Sequence, residues 1–312
     1  MKHTLLQMCP LSPTLDRQLT ELFTVHKWSD VTDQEVFFKE HGNAIVGVAT
    51  AAPTGVPNDI INHLPNLKVI SCRGVGMDKI DLNLAKQKKI QVSGTFGALN
   101  ECVADMAFAL LLDTVREVST ADRYVRNGEW LKGRYPLTTR VSGKRLGVVG
   151  MGEIGSLVAK RAQGFDMDIA YHNRKPVEGS PHLFKENLEE LAEWCDFLVI
   201  TVAGNAHTKN LISRSVLQAL GKEGFLINVS RGFVVDEDAL IKALSQGQIK
   251  GAGLDVFVEE PKVPSSLLAM DNVVLAPHMA SGTIETRKDM EELVLENLKY
   301  FFESGQVKTP AF

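Results

Sequence analysis

Short apolar runs alternate with stretches whose apolar positions recur every three or four residues. Over the first hundred residues the runs "HTLLQM", "AIVGVAT", "LKVISC" and "IQVSG" predict strands. Between them "TLDRQLTELF", "PNDIINHL" and "DLNLAKQ" predict helices. From Asn100 to about Asn127 one long helix is predicted, with Val103, Met106, Ala107, Leu110 and Leu111 on a buried face. The stretch "GEWLKGRYPLTTRVSGK" has no periodicity and is expected to be a loop. Beyond it the alternation resumes. Strands "RLGVVG", "DIAYH", "FLVITV", "GFLINV", "GAGLDVF" and "NVVLAP" are separated by helical segments such as "EIGSLVAKRAQ" and "DEDALIKALSQ". A last helix is predicted from about Thr283 to Phe302. Strands alternating with helices imply parallel sheets, so the fold class is α/β, in two successive units.

Composition narrows the class without changing it. The chain has 312 residues, 44% hydrophobic and 23% charged, with a formal net charge of -4. That length suggests two cores rather than one. No Lys/Arg run dominates a segment, which argues against nucleic acid or an anionic membrane as partner. No basic segment followed by an apolar stretch opens the chain, and no apolar run approaches the roughly 20 residues of a spanning helix. A cytoplasmic protein is expected. Cys9, Cys72, Cys102 and Cys195 are scattered, with no Cys-x-x-Cys pair, so neither a disulfide framework nor a metal site is expected.

"GVVGMGEIG" places Gly150, Gly152 and Gly155 in the G-x-G-x-x-G spacing. The spacing is weak alone, but here it follows an apolar strand and opens an amphipathic helix. Glycines allow the tight turn and close backbone approach, and free N–H groups at the helix start, around Glu153 and Ile154, suit a pyrophosphate. This predicts a Rossmann-like dinucleotide unit. NAD enzymes usually carry Asp or Glu at the end of the next strand, for the ribose 2′-hydroxyl. Here "DIAYHNRKP" presents Asn173, Arg174 and Lys175, an amide and two cations. These residues suit a 2′-phosphate, so NADP(H) is expected, with NAD(H) as the weaker alternative. His172 either joins this clamp or packs against the adenine.

Three further strand ends carry polar residues where open α/β sheets collect ligands: Arg231 in "NVSRG", Asp255 and Glu260 in "GLDVFVEEP", and His278 in "LAPHMASG". Singly, each has an ordinary structural explanation. Together with "SCRGVGMDKID", "ECVADMAFALLL" and "GVVGMGEIG" they make the chain resemble, essentially end to end, the D-isomer-specific 2-hydroxyacid dehydrogenases. It looks most like the NADPH-preferring glyoxylate/hydroxypyruvate and hydroxyphenylpyruvate reductase branch.

The resemblance implies a catalytic trio of Arg231, Glu260 and His278, acting on a small-molecule 2-keto acid to give the D-2-hydroxy acid. His278 is then the proton donor, since imidazole titrates near neutral pH. Glu260 orients the ring, and is preferred to Glu259 because it directly precedes the proline. Arg231 and the backbone of Val75 and Gly76 take the substrate carboxylate. Asp255, helped by the backbone of Val229, holds the nicotinamide carboxamide. The resemblance also implies a discontinuous, flavodoxin-like substrate domain, 1–99 plus 284–312, around an inserted dinucleotide domain, 100–283. It further implies a homodimer built largely on the long helix. "TFGALNE" departs from the family pattern at Gly97, Ala98 and Asn100, so side-chain contacts there do not carry over. Two other functions stay in view: an NAD-dependent dehydrogenase working in the oxidative direction, and a dinucleotide-sensing binding protein. The latter class carries long extra tails, and this chain stops at "KTPAF".

Overall fold

The structure, a computed structural model, describes residues 2–312. The chain forms two compact units: residues 1–99 with 283–312, and residues 100–282. The first contains strands β1 (Thr4–Gln7), β2 (Thr24–Lys27), β3 (Ile45–Ala51), β4 (Val69–Arg73) and β5 (Gln91–Ser93). Helices α1 (Pro13–Leu22), α2 (Gln34–His41), α3 (Asn58–Asn62) and α4 (Leu82–Gln87) connect them. The sheet order is β2-β1-β3-β4-β5, all parallel. Local chemistry sets the helix starts. Ser12 caps α1 by accepting from Leu15 N–H at 3.2 Å, with Pro13 in its first turn, and Asp81 caps α4 through Asn83 and Leu84.

The second unit opens with α5 (Asn100–Arg116) and α6 (Val118–Arg126) where the periodicity predicts one helix. The break falls at Glu117, whose φ of 55° is left-handed. Two side-chain contacts hold it: Asp113 accepts from Ser119 N–H at 2.7 Å, and Tyr135 O–H donates to Glu117 at 2.8 Å. Hydrophobic spacing carries across such a break unchanged, so the pattern does not reveal it.

The remaining strands are β6 (Arg145–Val149), β7 (Asp168–His172), β8 (Leu183–Phe184), β9 (Phe197–Ile200), β10 (Phe225–Asn228), β11 (Gly251–Leu254) and β12 (Val273–Leu275). Helices α7 (Glu153–Gln163), α8 (Leu188–Trp194), α9 (Arg214–Leu220), α10 (Glu237–Ser245) and α11 (Ser265–Leu268) lie between them. The order β12-β11-β10-β9-β6-β7-β8 is again all parallel. Every residue of β9, β10 and β11 is buried, as expected for strands covered on both faces. The strand order reverses beside β6, and there the glycine turn leaves the sheet. The last helix, α12 (Ile284–Ser304), returns to the first unit, where Val294 and Leu298 pack with Leu5, Leu15, Leu19 and Val69. The α/β class with two parallel sheets is therefore as the sequence pattern implies.

Candidate active site

In the second unit the candidate residues sit at or just beyond the C-terminal ends of adjacent strands. The three glycines after β6 do different work. Gly150 has φ +102°, and a Cβ there meets Val202 N at 2.8 Å; a Cβ on Gly155 falls 2.2 Å from Gly150 O. Those two glycines serve packing. Gly152 has nothing within 4 Å of its Cβ position, so no protein atom requires glycine there. The space beside it suits a ligand backbone that must come close. No side chain caps α7, which begins at Glu153 with Ile154 half-buried behind it. A helix N-terminus without a cap offers its N–H groups to an anion. The Glu153 carboxylate accepts from Asn100 Nδ2 at 2.6 Å.

Asn173 braces this turn, its Oδ1 accepting from Met151 N–H at 2.7 Å. Arg174 and Lys175 are exposed, and neither makes an ion pair among the described residues. His172 is tied through Nδ1 to the Lys185 carbonyl at 3.0 Å. The residues present therefore fit a dinucleotide bearing a 2′-phosphate: a tight glycine turn, an open Gly152, an uncapped helix start and two unpaired cations.

Beyond β10, Arg231 leaves the sheet in a turn where Gly204 and Gly232 permit close approach. A Cβ on Gly204 meets Arg231 Cγ at 2.5 Å, and one on Gly232 meets the Phe257 carbonyl carbon at 1.9 Å. The Arg231 turn is thus pressed against the segment leading to Glu260. Glu260 accepts from Phe257 N–H at 3.1 Å through Oε1 and from His278 Nδ1 at 2.6 Å through Oε2. Because a carboxylate only accepts, Nδ1 carries hydrogen and Nε2 is the ring atom left to serve a ligand. Burial works to raise the Glu260 carboxyl. The bonds from His278 and Phe257, with the charges of His278 and Arg231, outweigh it and hold the group below the usual carboxylate range. Both side chains stay about one-third exposed, at 34% and 38%. An oriented imidazole backed by a carboxylate, beside a guanidinium, can donate a proton to an oxygen that gains negative charge.

Asp255 is held from within the protein. It is fully buried, and its two carboxylate oxygens accept from Met279 N–H at 2.8 Å and Ala280 N–H at 2.9 Å. Burial pushes its carboxyl up, opposed by those two bonds. In this geometry Asp255 shapes the turn after β12. Val229 is 8% exposed, and its N–H donates to Ile200 O at 3.4 Å.

Val75 and Gly76 belong to the first unit, in the loop after β4. Gly74 starts that loop with φ +142° and the buried Thr95 clamps it. Thr95 Oγ1 accepts from Gly74 N–H at 3.0 Å, while Thr95 N–H donates to Gly74 O at 2.9 Å. Thr95, the bracing role of Asn173, and Asn228, which donates from Nδ2 to the Arg231 carbonyl at 3.0 Å, were missed in the sequence. Their signal is a single polar residue at the end of an apolar strand. Among the described residues no group of three or more His, Cys, Asp or Glu is placed to hold a metal ion.

Comparison with known proteins follows the same lines. Residues 108–280 match the family described as D-isomer specific 2-hydroxyacid dehydrogenase, NAD binding domain. The chain is 41% identical to a glyoxylate/hydroxypyruvate reductase A of Arabidopsis thaliana, covering 98% of this chain and 97% of that protein. It is also 41% identical to a 2-ketogluconate reductase of Gluconobacter oxydans, covering 99% and 98%. A crystal structure of an NADPH-dependent glyoxylate/hydroxypyruvate reductase from Sinorhizobium meliloti, in complex with NADP and malonate, superposes with a TM-score of 0.93. That protein is 37% identical, over 99% of this chain and 97% of the other.

Proposed function

The chain belongs to the D-isomer-specific 2-hydroxyacid dehydrogenase family, and from that premise we propose an NADPH-dependent reductase that converts a 2-keto acid to the D-2-hydroxy acid. The observation that carries the reading is the 2.6 Å contact between Glu260 and His278 at strand ends beside Arg231. When bound, the nicotinamide supplies the hydride. His278 Nε2 holds the proton for the keto oxygen, and Glu260 keeps the ring facing that way. Arg231 takes the carboxylate and steadies the oxygen as charge develops. Backbone N–H groups of Val75 and Gly76 take part in holding the carboxylate, with Thr95 fixing the loop that presents them. In this reading residues 1–99 and 284–312 form the substrate domain and residues 100–283 the dinucleotide domain.

Arg174 and Lys175 select NADPH by facing its 2′-phosphate, and the turn whose packing Gly150 and Gly155 permit lets Gly152 and the helix start at Glu153 and Ile154 seat the pyrophosphate. The preferred substrate class is that of the relatives: glyoxylate and hydroxypyruvate, or an aryl or sugar keto acid. The active form is a homodimer. Val118, Val125, Trp130, Leu131 and Leu137 expose apolar surface in and just after α6, and a second copy would cover it. The protein works in the cytoplasm, in keeping with four cysteines that form no disulfide.

The test is cofactor oxidation by purified protein with glyoxylate, hydroxypyruvate, phenylpyruvate and 2-ketogluconate in turn. Faster loss of NADPH than of NADH with at least one acceptor is expected. Cofactor binding without turnover on any acceptor would overturn the reading. Light scattering after size exclusion decides the dimer, and a monomer at micromolar concentration would refute it.

A further inference from the structure

We propose that α12 and residues 305–312 position the loop at Val75 and Gly76 through a relay of hydrogen bonds, with Asn297 and Thr309 as its positioning residues. The inference rests on the reductase reading above, in which that loop takes the substrate carboxylate. Asn297 lies on α12 and is 0% exposed. Its Nδ2 donates to Leu293 O and to Thr309 Oγ1, both at 2.8 Å. Its Oδ1 accepts from the N–H groups of Lys308 and Thr309 at 2.9 and 3.0 Å. Two donated and two accepted bonds use the full capacity of a primary amide. Asp or Leu in its place leaves buried groups without partners.

Thr309 carries the constraint across to the end of β5. Its hydroxyl accepts from Asn297 and donates to Gly94 O, while its carbonyl accepts from Gly94 N–H at 3.2 Å. Pro310 then bridges to Ser93, and Ala311 N–H donates to Val92 O at 2.8 Å, so the segment runs antiparallel along β5. β5 is the last strand of its sheet, and such an edge is the part of a sheet that opens most easily. The residue after Gly94 is Thr95, whose hydroxyl and N–H both clamp Gly74. Gly94 also faces the loop directly, since a Cβ there falls 2.6 Å from Met77 Cε. Each link from Asn297 to Gly74 rests on the one before it, and Gly74 opens the loop of Val75 and Gly76.

Backbone donors cannot swing toward a ligand as a side chain can, so the loop must be held in shape before the carboxylate arrives. A loosened loop loses its freedom at the binding step instead, which weakens substrate binding and leaves the chemical step alone. The Thr309 hydroxyl is the link to cut. Thr309→Val keeps the branched shape and removes both hydroxyl bonds, whereas Thr309→Ser keeps the bonds.

The experiment measures KM for the keto acid, kcat, and NADPH affinity by fluorescence titration in Thr309→Val, Thr309→Ser, Thr95→Val and the double Val variant. Thr309→Val is expected to raise KM about 3- to 10-fold, with kcat and NADPH affinity within about twofold of the parent. Thr309→Ser should return KM to within about twofold of the parent. Because the two threonines lie on one relay, the double variant should be no worse than Thr95→Val alone. An unchanged KM in Thr309→Val overturns the proposal. So does a rise in KM that Thr309→Ser shares, or effects of the two Val changes that multiply. Amide hydrogen exchange gives a readout free of turnover. The Gly74 and Thr95 amides are expected to exchange about tenfold faster in Thr309→Val than in the parent, and equal rates refute the relay. If Thr95→Val does not fold, the same comparison in Asn297→Asp takes its place, with the same expected and refuting results. Absence of keto acid reduction by the unaltered protein is a separate failure, of the reductase reading, and leaves the exchange result standing.

Discussion

Replacing Glu260 by Gln is the perturbation whose size follows most directly from the geometry. Glu260 satisfies Phe257 N–H with one oxygen and His278 Nδ1 with the other, at 3.1 and 2.6 Å. Glutamine keeps one acceptor and puts an NH2 group in place of the second, so one of these bonds is lost together with the charge. A charge-assisted hydrogen bond contributes about 1.5–3 kcal/mol. Both side chains are about one-third exposed, so solvent screening favours the lower part of that range, about 1.5–2 kcal/mol. Expressed on the transition state, this is about a 10- to 30-fold fall in kcat. The pH dependence has a definite sign. Burial alone would raise the Glu260 carboxyl, but its bonds and the neighbouring cations hold it below the ordinary value of 4.5. A depressed carboxyl contributes stabilisation that is complete above the ordinary value and disappears as pH falls through the lower folded one. From about pH 6 upward the carboxylate is therefore ionised, and the deficit of the Gln variant persists throughout that range. The assay is initial rates of NADPH loss across that window, with Glu259→Gln as control. A kcat within about twofold of the parent for Glu260→Gln, or an equal loss in the Glu259 control, would refute the assignment.

Three further outcomes follow from other residues. Replacing Arg174 and Lys175 together by Ala should lower kcat/KM for NADPH by about 10- to 100-fold and leave NADH nearly unchanged; equal loss for both cofactors sinks the phosphate role. Gly152→Ala places its Cβ in space empty of protein within 4 Å, so the thermal midpoint should hold while NADPH affinity falls by about tenfold or more. Unaltered affinity would contradict the pyrophosphate seat. Burial pushes the Cys195 thiol up to about 12 and Cys72 is equally inaccessible, so mass spectrometry should find neither alkylated in the native protein. Modification of Cys195 before unfolding would count against this core.

What the sequence made legible were features with strong local periodicity or strong local chemistry. The long apolar runs that became β3, β6, β9 and β10 are buried on both faces and could hardly be anything else. Strand β2 and helix α2 escaped notice because "TVHK" lies at a sheet edge with no residue fully buried, and "QEVFFKEH" has a weak apolar stripe with only Phe37 buried. The two-residue β8 is too short for any pattern. The left-handed Glu117 depends on partners outside its own stretch, Tyr135 among them, which no window of neighbouring residues reveals. Positions of Gly150, Arg231, Glu260 and His278 were visible as glycine spacing and as polar residues closing apolar strands. Their orientation was not, because it depends on long-range bonds such as Asp255 to Met279 and Ala280. Asn228 lay inside a quoted motif, yet its task emerges only once the Arg231 turn folds back over it.

The central claim is that one hydride and one proton reach a fixed face of a 2-keto acid with NADPH as the reductant. Chiral analysis of the product from hydroxypyruvate or phenylpyruvate, set against NADPH consumed, tests it most directly. The account predicts one D-2-hydroxy acid formed for each NADPH lost. The L product, a racemate, or NADPH loss without a hydroxy acid would contradict it.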